Sequence, residues 1–155
     1  MPNKLVTCLW FNGQAEDAAR FYVSLFPNSK MGRITPTPKG APGVPGKPLT
    51  VEFELNGQAF MGLNGGPNFT FSEAISFQVP CDTQAEIDRY WDALTADGGE
   101  PGPCGWCKDR FGLSWQVVPT IMPELLSQPD KAEKVTAAFM KMSKFDLATI
   151  KAAAA

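Results

Sequence analysis

From Leu5 to Phe11 apolar and polar positions alternate, the two-residue period of a strand with two unlike faces. If Thr7, Leu9 and Phe11 face a helix, Val6, Cys8 and Trp10 face the other side. Asn12-Gly13 is a turn signal. Ala15, Ala18, Ala19, Tyr22 and Leu25 or Phe26 then recur at helical spacing, until Pro27-Asn28 stops the helix. Lys30 to Thr37 reads as a strand. Leu49 to Leu55 alternates cleanly: Val51, Phe53 and Leu55 on one face, Thr50, Glu52 and Glu54 on the other. Asn56-Gly57 predicts a hairpin into a return strand, Gln58 to Leu63. Asn64-Gly65-Gly66-Pro67 closes this half, and Phe69 and Phe71 pin the connection to the core.

The pattern then starts again. Ile75, Phe77 and Val79 are expected to face a helix, with Ser76 and Gln78 opposite. Thr83 with Glu86 three positions on forms a capping box. Ile87, Tyr90, Trp91 and Leu94 make the buried stripe, and Asp97-Gly98-Gly99 ends the helix. Glu100 to Asp109 is a broken strand, Arg110-Phe111-Gly112 a turn, and Leu113 to Val118 the last strand. Both helices open on the same tripeptide, Gln14-Ala15-Glu16 and Gln84-Ala85-Glu86, with Phe21 falling where Trp91 falls. The chain is therefore β-α-β-β-β twice, an internal repeat that governs the whole fold. The expected class is α+β. Two tandem modules, 5–66 and 74–119, form a curved mixed sheet with a concave pocket, and a helical extension follows at 120–155. Within that arm a short helical piece is expected near Pro123 to Ser127, then a helix from about Asp130 to Ala153, with Val135, Ala138, Phe139, Met142, Phe145 and Leu147 on its apolar face.

The segment from Pro36 to Pro48 holds five prolines and three glycines. It is neither helix nor central strand. It reads as a surface loop, or alternatively as a lid over a pocket.

Composition narrows the chemistry. The 155 residues suit one domain of two half-units, and the net charge of −2 argues against a nucleic-acid partner. No apolar run is long enough to cross a membrane. Met1-Pro2-Asn3-Lys4 lacks the apolar core of a signal peptide, so the expected compartment is the cytoplasm. There are no histidines, which removes Ser-His-Asp triads, Cys-His dyads and His-rich zinc sites. The four cysteines are expected as free thiols. Cys104-Gly105-Trp106-Cys107 has redox spacing, but it follows Pro101-Gly102-Pro103 instead of opening a helix, so its thiols should diverge.

Several stretches resemble the vicinal oxygen chelate superfamily, which includes glyoxalase I, extradiol dioxygenases and bleomycin-resistance proteins. The narrower resemblance is to PhnB-like proteins, whose domain carries the label 3-demethylubiquinone-9 3-methyltransferase. The residues are Phe11-Asn12-Gly13-Gln14-Ala15-Glu16-Asp17-Ala18 with Phe21-Tyr22 and Phe26-Pro27, then Glu52-Phe53-Glu54-Leu55-Asn56-Gly57-Gln58. Cys104-Gly105-Trp106 and Lys108-Asp109-Arg110-Phe111-Gly112-Leu113-Ser114-Trp115-Gln116 complete the set. The resemblance implies the paired-module fold, a small-molecule pocket and a homodimer, to which the Phe139, Met142 and Phe145 face would contribute. It places the superfamily's metal positions near Val6, Met61, Ser76 or Ala74, and Gln116, which are poor ligands for a hard ion. Thr50 stands where PhnB-like relatives often carry His. No G-x-G-x-G follows a strand, so neither metal nor cofactor is expected.

On this fold Cys8, Trp10, Thr50, Met61, Ser76, Cys104, Trp106 and Gln116 become the expected ligand-binding residues, together with Glu52. Their mix suits a flat, partly apolar ligand. Glu52 shares its strand face with Thr50 and Glu54. In a closed cavity it could act as a base; near a sheet edge it would be solvated. The leading expectation is metal-free binding of a small apolar or aromatic molecule. The alternatives are an enzyme of the superfamily, of the metal-dependent lyase or dioxygenase type or the methyltransferase itself, and a drug-sequestering resistance protein.

Overall fold

The structure, a computed structural model, describes residues 5–155. Met1–Lys4, read above for the lack of a signal peptide, lie outside the described residues. The chain divides into two compact units, one up to Phe71 and one from Ser72 onward.

In the first unit, β1 (Thr7–Phe11), α1 (Ala15–Leu25), β2 (Lys30–Pro36), β3 (Pro48–Leu55) and β4 (Gln58–Asn64) follow in order. They make one four-stranded sheet, β1-β4-β3-β2, in which β1 runs parallel to β4 and the other neighbours are antiparallel. The alternation read from the sequence sets which face is buried. Leu9, Phe11, Val51, Phe53, Leu55 and Phe60 are buried on the side of α1. Phe53 stacks on Phe60, with ring centroids 5.3 Å apart. Ala15, Ala18 and Ala19 are fully buried, so α1 lies close on the sheet. A Cβ at Gly62 would come within 3.0 Å of the Ala15 Cβ. The Pro/Gly segment between β2 and β3 is closed at its neck, where Thr37 N–H and Oγ1 both donate to the Lys47 carbonyl, at 2.7 and 2.9 Å.

The second unit repeats this: β5 (Ser76–Cys81), α2 (Gln84–Thr95), β6 (Glu100–Pro101), β7 (Trp106–Lys108) and β8 (Ser114–Pro119). Its sheet has the equivalent order, β5-β8-β7-β6, again with the outer first strand parallel to the last. Ile87, Tyr90, Trp91 and Leu94 are buried with Val79, Trp115 and Val117. Thr83 Oγ1 accepts from Glu86 N–H at 3.2 Å, and the Glu86 carboxylate accepts in return from Asp82 N–H. Ile75, expected on the helix side, precedes β5 and is 70% exposed.

The C-terminal arm has the expected short first piece but breaks the long helix that the spacing predicts after it. It is three helices: α3 (Met122–Leu126), α4 (Pro129–Phe139) and α5 (Leu147–Ala154). The break between α4 and α5 comes from contacts distant in sequence. The Met142 and Ser143 carbonyls accept from Cys104 and Gly105 N–H, each at 2.8 Å, and Ser143 Oγ donates to the Gly102 carbonyl. Asp146 then caps α5 by accepting from Thr149 N–H at 3.0 Å. Phe145, expected to serve a dimer interface, is 3% exposed within its own unit, with Phe139 edge-on to it.

Candidate functional site

In the first unit the strand register gathers five of the expected binding residues onto the helix-free face. Cys8 is opposite Met61, and Met61 is opposite Glu52. One step along, Trp10 is opposite Leu63, and Leu63 is opposite Thr50. These rows follow from pleating alone, since residues two apart share a face. Beside them lies a cavity of about 320 Å³ whose walls include Val6, Lys30, Gly32, Glu52, Glu54 and Met61. The cavity is mostly apolar with carboxylates on one side, a composition suited to an amphipathic small molecule.

Glu52 and Glu54 are tied to the edge strand. Glu52 pairs with Arg33 at 3.8 Å and Glu54 with Lys30 at 3.7 Å. Both carboxylates are close to half exposed. Glu52 is thus a half-solvated carboxylate on the strand next to the edge, and it carries an ion pair. Trp10 is held on one side: its Nε1 donates to the Gly66 carbonyl at 2.9 Å, and Phe69 meets its ring edge-on at 4.9 Å. Gly65 lies so close to that ring that a Cβ would come within 2.4 Å of it.

The remaining expected residues lie in the second unit. Ser76 and Gln116 are linked, Gln116 Nε2 donating to Ser76 Oγ at 2.8 Å. Trp106 is the register partner of Gln116. Cys104 is off the strands, in the turn before β7, with φ +56° and its thiol 3.8 Å from Met140 Sδ. The structure brings Ser76, Trp106 and Gln116 to one sheet face and leaves Cys104 in a turn bonded to the C-terminal arm. All four cysteines are free. Burial pushes the Cys81 and Cys107 thiols up to about 12, helped by nearby carboxylates, so neither is a nucleophile near neutral pH.

The sequence reading missed Asp109 and Ser114. Asp109 is 2% exposed and organises the turn between β7 and β8. Its Oδ1 accepts from Phe111 and Leu113 N–H at 2.8 and 3.1 Å, and Oδ2 accepts from Trp115 Nε1 at 2.8 Å. Ser114 is 1% exposed, and its Oγ has no hydrogen-bond partner among the described residues. An Asp before a Gly-containing turn was a signal for the first; nothing in the sequence marks the second.

The superfamily's metal does not fit these positions. Val6 offers no donor, Met61 a thioether, Ser76 a hydroxyl and Gln116 an amide already bonded to Ser76. Hard divalent ions take carboxylates or imidazoles instead. Among the described residues, no three His, Cys, Asp or Glu side chains form a group able to hold a metal. S-adenosylmethionine fares no better on the common glycine-rich plan: Gly65 packs on the Trp10 ring, the Gly66 carbonyl accepts from the Trp10 indole, and Gly99 closes the turn after α2.

Two four-stranded βαβββ units with helices packed on them define the class, the glyoxalase/bleomycin-resistance fold. The family model for 3-demethylubiquinone-9 3-methyltransferase matches residues 3–118, and the chain belongs to that PhnB-like family. The PhnB protein of Bacillus cereus, named for the same methyltransferase, is 36% identical with a TM-score of 0.67. That match covers 76% of this chain and 99% of the other. Protein PA1353 from Pseudomonas aeruginosa is 22% identical, TM-score 0.62, over 76% of this chain and 98% of its own. The fosfomycin resistance protein FosX from Mesorhizobium loti is 13% identical, TM-score 0.59, over 83% and 99%. The last two likenesses show the fold alone. No curated protein matches the sequence. No helix among the described residues is long and apolar enough to cross a membrane.

Proposed function

We propose that this protein binds a small, partly apolar or aromatic molecule on the helix-free face of its first unit, without a metal. The observation that carries this is the cavity of about 320 Å³ with Met61, Val6 and Glu52 in its walls. Its volume falls in the range of small-molecule sites, roughly 300–1,000 Å³. In this reading Met61 supplies contact surface in the cavity, Cys8, Trp10 and Thr50 extend the same sheet face beyond its walls, and Glu52 orients a polar group of the ligand. The protein acts in the cytoplasm as a homodimer. Methyl transfer is not part of the proposal, because the glycines that would cradle the cofactor are already used in packing. A resistance role like that in the name of the FosX neighbour would rest on fold alone.

A thermal-shift screen of the full chain with quinones, aromatic carboxylic acids and S-adenosylmethionine tests the reading. Quinones or aromatic acids should raise Tm, and Met61→Glu, which puts a charge among the apolar walls, should abolish the shift. A Tm raised by S-adenosylmethionine alone, or a stoichiometric divalent ion in the purified protein, would overturn it.

A further inference from the structure

The duplicated unit repeats its cavity as well as its strands. In the first unit the cavity is walled by β2, β3 and β4 and by the residue just before β1. In the second, a cavity of about 170 Å³ lies at the equivalent corner, walled by β6, β7, β8 and the segment before β5. Its walls differ in kind: Glu73, Glu100, Trp106, Lys108 and Ser114. Register explains how they meet. Lys108 is opposite both Ser114 and Glu100, and Trp106 lies two residues from Lys108 on the same face. Trp115 occupies the helix face, so Ser114 turns the other way, towards the cavity.

We propose that this second cavity is a binding site for a small ammonium group, held by Glu100, the Trp106 ring and the Ser114 hydroxyl. Three observations converge. Ser114 Oγ is buried without a partner among the described residues, and a buried hydroxyl left unpaired marks a place where a bonding partner belongs. The walls carry two carboxylates against one ammonium, and that ammonium, Lys108 Nζ, is already bonded to Glu73. The balance favours a cation and repels an anion. Trp106 adds an indole to the walls, the best aromatic partner for a cation. The volume is below the drug-sized range, so the occupant is a small amine or the amine end of a longer molecule. The site is built from second-unit residues alone, and the proposal does not rest on the first-unit site.

Nuclear magnetic resonance titration of the ¹⁵N-labelled full chain with ethylammonium, and separately with propionate, tests this. Ethylammonium should shift the Trp106 indole and Ser114 amide signals saturably; propionate should leave them in place. Ser114→Ala should weaken ethylammonium binding about tenfold, as loss of a charge-assisted hydrogen bond requires. It should leave Tm unchanged or raised, since the hydroxyl it removes has no partner. Glu100→Gln, at an exposed position, should weaken binding without changing the fold. No saturable shift, equal shifts by propionate, or unaltered affinity in Ser114→Ala would each overturn the proposal. So would a lowered Tm in that variant, because the hydroxyl would then already be bonded within the protein.

Discussion

Asp109 and Ser114 sit five residues apart in one family motif and show opposite uses of a buried polar group. Asp109 is saturated: two backbone amides and an indole N–H all donate to it. Charge-assisted bonds of this kind are among the strongest a protein makes. Removing the carboxylate takes a charged acceptor away from three donors, two of them in buried bonds. Asp109→Ala should therefore cost on the order of 3 kcal/mol or more in urea unfolding. A loss below about 1 kcal/mol would show that the turn holds without it. Asp109→Asn should fall between, because its amide nitrogen would face the Trp115 N–H donor to donor. The motif around Asp109 is thus a fold signature. That explains how it identifies a family while saying nothing of a reaction. Ser114, within the same motif, is the group left over for a ligand.

At the scale of elements, the arm after β8 shows where periodicity stops being informative. Phe139, Met142 and Phe145 keep helical spacing, so the sequence predicts a helix running through them. The chain turns instead because residues 142–143 bond to the turn at residues 102–105, some forty positions earlier. Gln84 adds a second tie, accepting from Leu147 N–H at 2.8 Å and donating to the Phe145 carbonyl at 3.0 Å. Such long-range bonds leave no local trace. Gly105 is the point they depend on: its φ is +81°, and a Cβ there would lie 2.6 Å from the Phe145 ring and 2.8 Å from the Val117 carbonyl. Gly105→Ala should cost about 3 kcal/mol, combining backbone strain with overpacking. Gly112→Ala meets open space at a similar φ of +90° and should cost only about 1–2 kcal/mol. Hydrogen exchange should show α5 loosened in the first variant and protected in the second. Equal effects would mean that Phe145 moves aside freely.

Across the whole molecule, the duplicated βαβββ order was legible because strand and helix periods differ and each repeats in register. The faces were legible too: Cys8, Met61 and Glu52 share a row because each had been placed by alternation. The cavities were not, since they depend on side-chain volume and on ion pairs such as Arg33–Glu52 that no spacing encodes. Burial raises the Cys8 thiol of the first unit as well, and the second unit should feel alkali more strongly. Cys81 and Cys107, both in the second unit, are buried, and their thiols are raised from 9.0 to about 12. A raised folded value means that folding favours the protonated thiol. That contribution is fully present below the unfolded value near 9.0 and is lost as pH climbs towards about 12. Tyr and Lys side chains titrate in the same window, so the absolute loss of Tm is not diagnostic. The difference between variants is: Cys107→Ala starts less stable because it opens a cavity, but between pH 8 and pH 10.5 its Tm should fall less than that of the wild-type chain. Parallel curves would mean that thiol ionisation is not linked to folding. A steeper fall in the variant would reverse the sign and show the thiolate, not the thiol, to be the form the second unit prefers.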